Sequence, residues 1–576
     1  MQFSAKLVFV VLLLAFTIPK LQAETLDGDK LLDPNHLVDI RITLSPSDWK
    51  ELCKQRRDFG ALFTGAEIED PFNYFKGDIS IDGHRVAEVG VRKKGLFGSV
   101  DSVRPSLKIK FDEFVDQDPI KGLSRLTLNN NKQDTSQVSQ FLTYKLFRDA
   151  GVHAPRSNFA RVTVNDVYLG IYTHVESIKK PFLDNQFGDK SGQLFEGTLT
   201  DFHPRTIEKF EAKTKNDQVD RRHLKLIADV VTKGDELQVD KLQELIDLDN
   251  FFRYWAIEGI IRFWDGYAAN QNNFYFYIHP ADGRGYFIPW GADDSFTKQG
   301  GPFGRFTRQK STAVYATSML TNRLYHAEGM ADRYRATVLE LLDEVWDEQE
   351  LIAEIDRIEK LISSHLHERQ KSSPRNMNRV RDFIETRRGV LEKELNEWPA
   401  VVSTKPRKPQ YTIVIGKASG SFATVWNDRS AADPTNAGNA EIQVELDGEV
   451  IEFKQLGISV QPRRSSRFGR RDSGATDRPR VSLVLAAIRA SDDERLTITL
   501  AIDREAFENL TDDPIQVTGT LTVGRNPSPF AAFRGGANRS VNGVLRLTKS
   551  GTDEGAAVAG NIELTIAETR GGLFRR

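Results

Sequence analysis

The chain has 576 residues, a formal net charge of −2, 28% charged and 39% apolar residues. That balance excludes the basic footprint of a nucleic-acid binder, and the length calls for more than one hydrophobic core, hence at least two domains. The single cysteine, Cys53, excludes an intrachain disulfide and any structural zinc held by several thiolates.

Lys6, the apolar run 7–18 and Leu21-Gln22-Ala23 read as a leader peptide over 1–23, cleaved before Glu24. The run is too short to span a bilayer, and no later stretch is long and apolar enough to do so. The mature chain is therefore expected to be exported, to the periplasm, cell surface or medium. An exported chain without disulfides fits a bacterial envelope better than a eukaryotic secretory product.

Residues 37–44 alternate as a strand. Ser45-Pro46-Ser47-Asp48 then opens a helix: a capping hydroxyl, a proline in the first turn and an acid at the positive dipole end. A hairpin follows over 74–92 around Asp82-Gly83. It runs into Lys93-Lys94-Gly95-Leu96-Phe97-Gly98-Ser99, and then Ser106-Leu107-Lys108-Ile109-Lys110-Phe111 forms a strand. Its apolar residues share one face and Lys108 and Lys110 the other. Such a glycine turn beside lysines can approach phosphate, although two lysines on a strand are more commonly a solvated face.

Residues 126–131 predict a strand ending in a polar loop, 136–150 a helix closed by Gly151, and 159–175 a hairpin with Glu176 at its end. Helices are expected over 224–231, 237–246 and 249–263. The last leads into a hairpin that delivers Asp265, Asn270, Asn272 and Asn273 from one side and Asp293 from the other. Oxygen ligands of this kind suit a hard cation such as Mg²⁺. The plainer reading, equally open on spacing, is that Asp265 caps a turn and the amides close the loop. Residues 318–395 are helical almost throughout, 399–409 read as a proline-punctuated linker, and 410–576 as short strands of a β-sandwich. A basic, serine-bearing loop, 463–474, lies within the sandwich: an anion-binding or phosphoacceptor site, or simply a solvated charge run.

Several of these stretches, in this order, resemble the spore-coat-H (CotH) kinase family. They are Gly90–Ser99 with Ser106–Phe111, Leu128-Asn-Asn-Asn with Asp134 and Ser136, and 146–155. Gly170–Glu176, Trp264-Asp-Gly-Tyr, Asn273-Phe-Tyr-Phe-Tyr277 and Ile288-Pro-Trp with Asp293 complete the set. The resemblance covers about residues 37–395. It implies an α+β fold: an atypical, reduced protein-kinase-like domain over 24–398, a mixed sheet lobe plus a helical lobe, with the β-sandwich-like domain at 410–576 outside it.

The resemblance further implies transfer of the γ-phosphoryl of ATP, with Mg²⁺ or Mn²⁺, to Ser/Thr of an envelope or surface protein. Asp265 would be the catalytic carboxylate and Asp293 the metal ligand, with Asn273 preferred over Asn270 as amide ligand. Lys108, with Lys110 as runner-up, would pair with phosphate oxygens. Gly95, Gly98 and Ser99 would cover the phosphates, and Glu176 would sit near the adenine. Two departures stand out. The family's Trp-Asp-x-Asp reads Trp290-Gly-Ala-Asp293 here, and an arginine after Leu128-Asn-Asn-Asn is replaced in the neighbourhood of Ser139 and Gln140. A second class of function is therefore carried along: a non-catalytic kinase-like surface or coat protein that binds a partner or glycan through its C-terminal domain. A metal-dependent hydrolase is disfavoured, since no histidine cluster shows metal-ligand spacing.

Overall fold

The structure is a computed structural model. It describes residues 26–55, 72–95, 98–214, 219–297, 311–429, 433–463, 480–510, 513–524 and 538–571. The expected leader at 1–23 and all but the first residue of the basic loop at 463–474 lie outside these.

Seven strands close into a barrel, in the order Leu37–Leu44, Phe75–Ile81, His84–Lys93, Leu107–Lys110, Arg125–Asn129, Val167–Val175 and Ser157–Val164. Leu37–Leu44 and Ser157–Val164 pair in parallel and close the ring; every other pairing is antiparallel. The alternation seen in sequence fills the barrel: Ile40, Ile42, Ile79, Val89, Val91, Leu107, Ile109 and Leu128 are almost wholly buried. Helix Pro46–Lys54 starts as its sequence predicts, with Ser45 accepting the Asp48 N–H at 3.1 Å.

Past Val175 the chain enters a helical body around a second core. Helix Leu248–Ile260 contributes Phe251, Phe252, Tyr254, Trp255 and Ile257 to that core. The long helix Ser373–Asn396 crosses its end. There Arg387 donates to the terminal carbonyls of Ile260 at 2.7 Å and Gly259 at 2.8 Å, a cation on the negative end of a helix. A sheet in the order Glu211–Ala212, Gln193–Gly197, Phe274–Ile278 and Gly285–Pro289 packs Phe274, Phe276 and Phe287 onto this body and Tyr275, Tyr277 and Ile288 against helix Lys180–Phe187.

The C-terminal region is mostly β, as its alternation predicts, with one short helix, Arg504–Glu508, but it is one antiparallel sheet of nine strands, where two packed sheets were expected. The sequence pattern breaks at bulges, at Val414/Gly416 and Leu547/Lys549, that the strands pass through. Tyr411–Val425, Asn538–Ser550 and Ala557–Arg570 are therefore 15, 13 and 14 residues long. Long bulged strands twist strongly, and the sheet coils until its last strand meets its third. Trp426 bridges Val460 in parallel, and Asn427 N–H donates to the Val460 carbonyl at 3.1 Å. One core results, around Leu483, Leu500, Val541 and Ile566.

The segment 399–409 also departs from expectation. Instead of a free tether it is a strap laid along the helical body. Tyr325 Oη donates to the Ala400 carbonyl at 2.9 Å, Asn322 Nδ2 to Ser403 at 2.8 Å and Lys209 Nζ to Gln410 at 2.7 Å.

Candidate active site in the cleft between barrel and helical body

Helix Leu248–Ile260 ends at Ile261, just ahead of the loop that carries Asp265. Arg262 takes a positive φ of 56° and turns the chain into Phe263-Trp264-Asp265-Gly266. One helical turn, Tyr267–Asn270, follows, and Gln271 and Asn273 leave it with φ of 56° and 54°. The chain then enters strand Phe274–Ile278, turns at Asp282-Gly283 and returns as Gly285–Pro289. Trp290 N–H extends that pairing to the Asn273 carbonyl at 3.0 Å, which carries Asp293 to the same end of the hairpin as Asp265.

Two buried acids hold this loop from below. Glu258 accepts the N–H groups of Tyr267 and Ala268, both at 2.8 Å, the orphan donors of a helix start. Gly266 must be glycine, since a Cβ there would stand 2.2 Å from Glu258 Oε1. Asp201 accepts Tyr267 Oη at 2.8 Å, Gln271 Nε2 at 2.7 Å and Met319 N–H at 2.6 Å. Neither acid was picked out in the sequence, because an isolated Glu on a helix or Asp in a loop carries no local pattern.

Asp265 is the centre of an amide cage. Its Oδ1 accepts Asn270 Nδ2 at 2.5 Å and Asn272 Nδ2 at 3.2 Å, and its Oδ2 accepts Asn273 Nδ2 at 2.8 Å. Loss of hydration raises its pKa to about 6, aided by the charge of Asp294 and opposed by the three amides. Asp293 is raised to about 7, first by loss of hydration and then by Asp294, Asp265 and Asp134. The two acids that the sequence placed 28 positions apart thus feel one another across the same site.

The donor set fits a hard cation. The Asp293 carboxyl is met by its own backbone N–H, and Asn273 spends its Nδ2 on Asp265, which leaves its Oδ1 on the side of Gly291. No three of His, Cys, Asp and Glu gather at metal-ligand distance among the described residues. A cation here would take the rest of its shell from water and phosphate, the habit of Mg²⁺. Asn270 is corrected as a ligand: its Oδ1 accepts Arg407 Nη1 at 2.8 Å and its Nδ2 faces Asp265. The departure at Gly291 has a geometric counterpart. Gly291 has φ +56°, and a Cβ there would meet Asn273 Oδ1 at 2.5 Å, so the amide oxygen occupies the space a side chain would need.

Two lysines of the barrel stand near these acids. Lys94 Nζ lies 5.6 Å from the Trp290 ring centroid and donates to Asn129 Oδ1 at 2.5 Å. Loss of hydration lowers its pKa to about 8, against the pull of Asp293 and Glu196. Asn129 Nδ2 in turn donates to Gln140 Oε1 at 2.8 Å, so Gln140, in the neighbourhood of the missing arginine, is tied to the lysine through one amide. Lys108 sits beside it, its pKa pushed well down by loss of hydration and by Arg92, Lys94 and Arg125, with Glu196 as counter-charge. Alternation along His84–Lys93 and its extension could have revealed Lys94. Lys93 points to the interior, where its Nζ donates to the Cys53 carbonyl at 2.9 Å, which leaves Arg92 and Lys94 facing the cleft.

Two expected residues are elsewhere. Lys110 pairs with Glu113 at 2.8 Å on the outer wall of the barrel, one strand repeat too far along to reach the acids. Glu176 stands where the chain leaves the barrel, but its buried carboxylate is committed to Arg156, at 2.8 and 3.1 Å, and does not face the cleft. Gly95 and Ser99 pack together: Gly95 has φ +101°, and a Cβ on it would lie 2.1 Å from that of Ser99. Ser99 accepts the Ser106 N–H through its carbonyl at 2.8 Å, and Gly98 begins a short 3₁₀ turn beside it. Leu96 and Phe97, at the tip of this loop, are outside the described residues.

Compared with known proteins, residues 91–391, just over half of the chain, match the sequence profile described as CotH kinase protein. Two fungal proteins of Rhizopus delemar are similar: Invasin CotH3, 23% identical over 186 residues, and Invasin CotH2, 22% identical over 197. The aligned parts are 29% and 31% of this chain and 31% and 33% of theirs, so the chain spans about a third of the length of these curated relatives. Among solved structures, the Helicobacter pylori proinflammatory kinase CtkA aligns with 53% of this chain and 95% of its own, at 9% identity and a TM-score of 0.28.

Proposed function

The chain belongs to the CotH kinase protein family, and from that premise we propose that it is an exported kinase that transfers the γ-phosphoryl group of ATP to Ser/Thr hydroxyls of envelope or surface proteins. The observation that carries this reading is the gathering of Asp265, Asp293 and Asn273 at one site, with Lys94 of the barrel near enough to feel the Asp293 charge and Lys108 beside it. Bound Mg²⁺, or Mn²⁺, would neutralise charge on the β- and γ-phosphates. Asp293 and the Asn273 amide oxygen would hold it. Asp265, fixed by its amide cage, would orient the acceptor hydroxyl and take its proton, for which a pKa of about 6 is well placed. Lys94 and Lys108 would bind phosphate oxygens; both are held in a dehydrated setting that lowers their pKa, a cost that a bound polyanion would offset. Catalysis of this kind is mostly positioning and charge compensation. Export rests on the leader expected at 1–23; among the described residues no helix is long and apolar enough to cross a membrane. A second reading, a non-catalytic coat protein, draws on Gly291, which removes one of the family's two acids.

The test is incubation of the mature chain with labelled ATP and Mg²⁺ beside Asp265→Ala and Asp293→Ala, with mass spectrometry for added phosphate. Transfer by the parent alone is expected. Equal labelling of all three proteins would remove the kinase reading.

A further inference from the structure

The strap 399–409 lies beyond the residues that match the family profile, yet it ends inside the proposed active centre. Arg407 Nη1 donates to Asn270 Oδ1 at 2.8 Å and approaches the Asn270 carbonyl at 3.4 Å. Its own N–H donates to the Thr317 carbonyl at 2.8 Å. Thr317 grips the same helical turn from the other side, its hydroxyl donating to the Ala268 and Ala269 carbonyls at 2.8 and 2.6 Å. Arg407 Nε has no partner. No carboxylate forms an ion pair with the guanidinium among the described residues, although Asp201 and Asp265 both lie close enough to act on its charge.

A side-chain amide has a donor end and an acceptor end, and which way it faces is decided by what holds it. Asn270 has its acceptor end on Arg407 and its donor end on Asp265 Oδ1. The guanidinium has only donors, so it admits one orientation of the amide, the one that presents Nδ2 to the carboxylate. Upstream and downstream of Arg407 the strap is pinned at Ala400, Ser403 and Gln410. Arg205 stacks on Tyr411, the first residue of the C-terminal sheet, at 4.7 Å. The arginine is thus held at a fixed depth from both sides.

We propose that the strap is part of the active centre and that Arg407 is a positioning residue: through Asn270 it sets the orientation of the Asp265 carboxylate. The consequence for phosphoryl transfer rests on the proposed kinase reading; the mechanical coupling does not. The C-terminal sheet, fused to the strap, thereby anchors a residue that the family domain requires.

The experiment uses the full mature chain. Arg407→Ala is expected to lower kcat about 10–100-fold, the usual effect of a small misplacement, and to leave KM for ATP within about twofold. Asn270→Ala should fall equally far, and the double variant no further, because the two side chains act as one path. Arg407→Lys, which keeps one donor and the charge, should recover much of the loss. Where Arg407→Ala does not fold, Arg407→Gln takes its place. Parental kcat in the variant, or losses that multiply in the double variant, would overturn the proposal. If the parent protein itself transfers no phosphate, the kinase reading fails and the strap is judged separately by hydrogen exchange over residues 266–273. Faster exchange in Arg407→Ala sustains the coupling, and unchanged exchange refutes it.

Discussion

The barrel with its helical body and the C-terminal coiled sheet are both built on nearly closed β-structure around aliphatic cores, yet they treat charge in opposite ways. Among the described residues, the C-terminal sheet buries no charged side chain; its buried polar groups are hydroxyls such as Thr424, Ser459, Ser482 and Ser540. The family domain buries Lys93, Arg104, Asp134, Glu176, Asp201, Glu258 and Arg387. Burying a charge is expensive unless it is paired and hydrogen-bonded. Most of these are: Arg104 and Arg387 on carbonyls, Glu176 on Arg156, Glu258 and Asp201 on N–H donors. Two of them, Glu258 and Asp201, hold the loop that carries Asp265, so part of this unfavourable burial serves to fix the candidate site.

The sharpest break of this contrast is on the acids. Asp293→Ala should cut phosphoryl transfer by about 10³-fold or more, a loss typical of removing a main electrostatic group, and should leave the melting temperature equal or higher, since a repelled carboxylate is gone. On the opposite wall, Lys94→Ala is expected to cost about 10²-fold in kcat/KM, while Lys110→Ala, on the outer surface, should be indistinguishable from the parent. A reversed ranking would move the phosphate site along the barrel.

Glu258 gives the contrast a pH signature. In the folded chain loss of hydration holds its carboxyl protonated up to about 8, against an ordinary value of 4.5. Between those values unfolding releases a proton, so stability falls as pH rises from about 4.5 to 8. Glu258→Gln removes its share of this slope and leaves that of Asp265 and Asp293. It also loses the bond from Ala268 and begins about 1–3 kcal/mol lower. Urea titrations at pH 5, 6, 7 and 8 check this: an unaltered slope in the variant would show Glu258 ionised throughout. The smallest effect on function is expected from the other region. Leu500→Ala, fully buried in the C-terminal core, should cost that sheet about 2–5 kcal/mol and leave kcat unchanged at temperatures where the sheet stays folded.

The barrel strands, the capped helix at Ser45 and the hairpin around Asp265 were legible in the sequence because period-two alternation, capping residues and Asp-Gly turns are local signals. Asp265 and Asp293 could be paired because a hairpin of known turn brings its ends together. Lys110 ranks behind Lys108 in the sequence reading, where alternation gives the two a shared face and not a distance along the strand; its pairing with Glu113 is not announced by any local pattern. Glu176 was placed correctly in the chain, but nothing local announces that Arg156 claims its carboxylate. The coiling of the C-terminal sheet and the docking of the strap were not legible either, since bulges interrupt the pattern and the hydrogen bonds that pin the strap come from residues 75 or more positions away.

The central claim, that Asp293 helps bind a cation beside a nucleotide within reach of Asp265, is tested most directly by electron paramagnetic resonance of Mn²⁺ with a non-hydrolysable ATP analogue. The account predicts a bound-Mn²⁺ signal in the parent chain that depends on the analogue, survives Asp265→Asn and disappears in Asp293→Ala. A bound signal of equal strength in Asp293→Ala, or none in the parent at millimolar analogue, would contradict it.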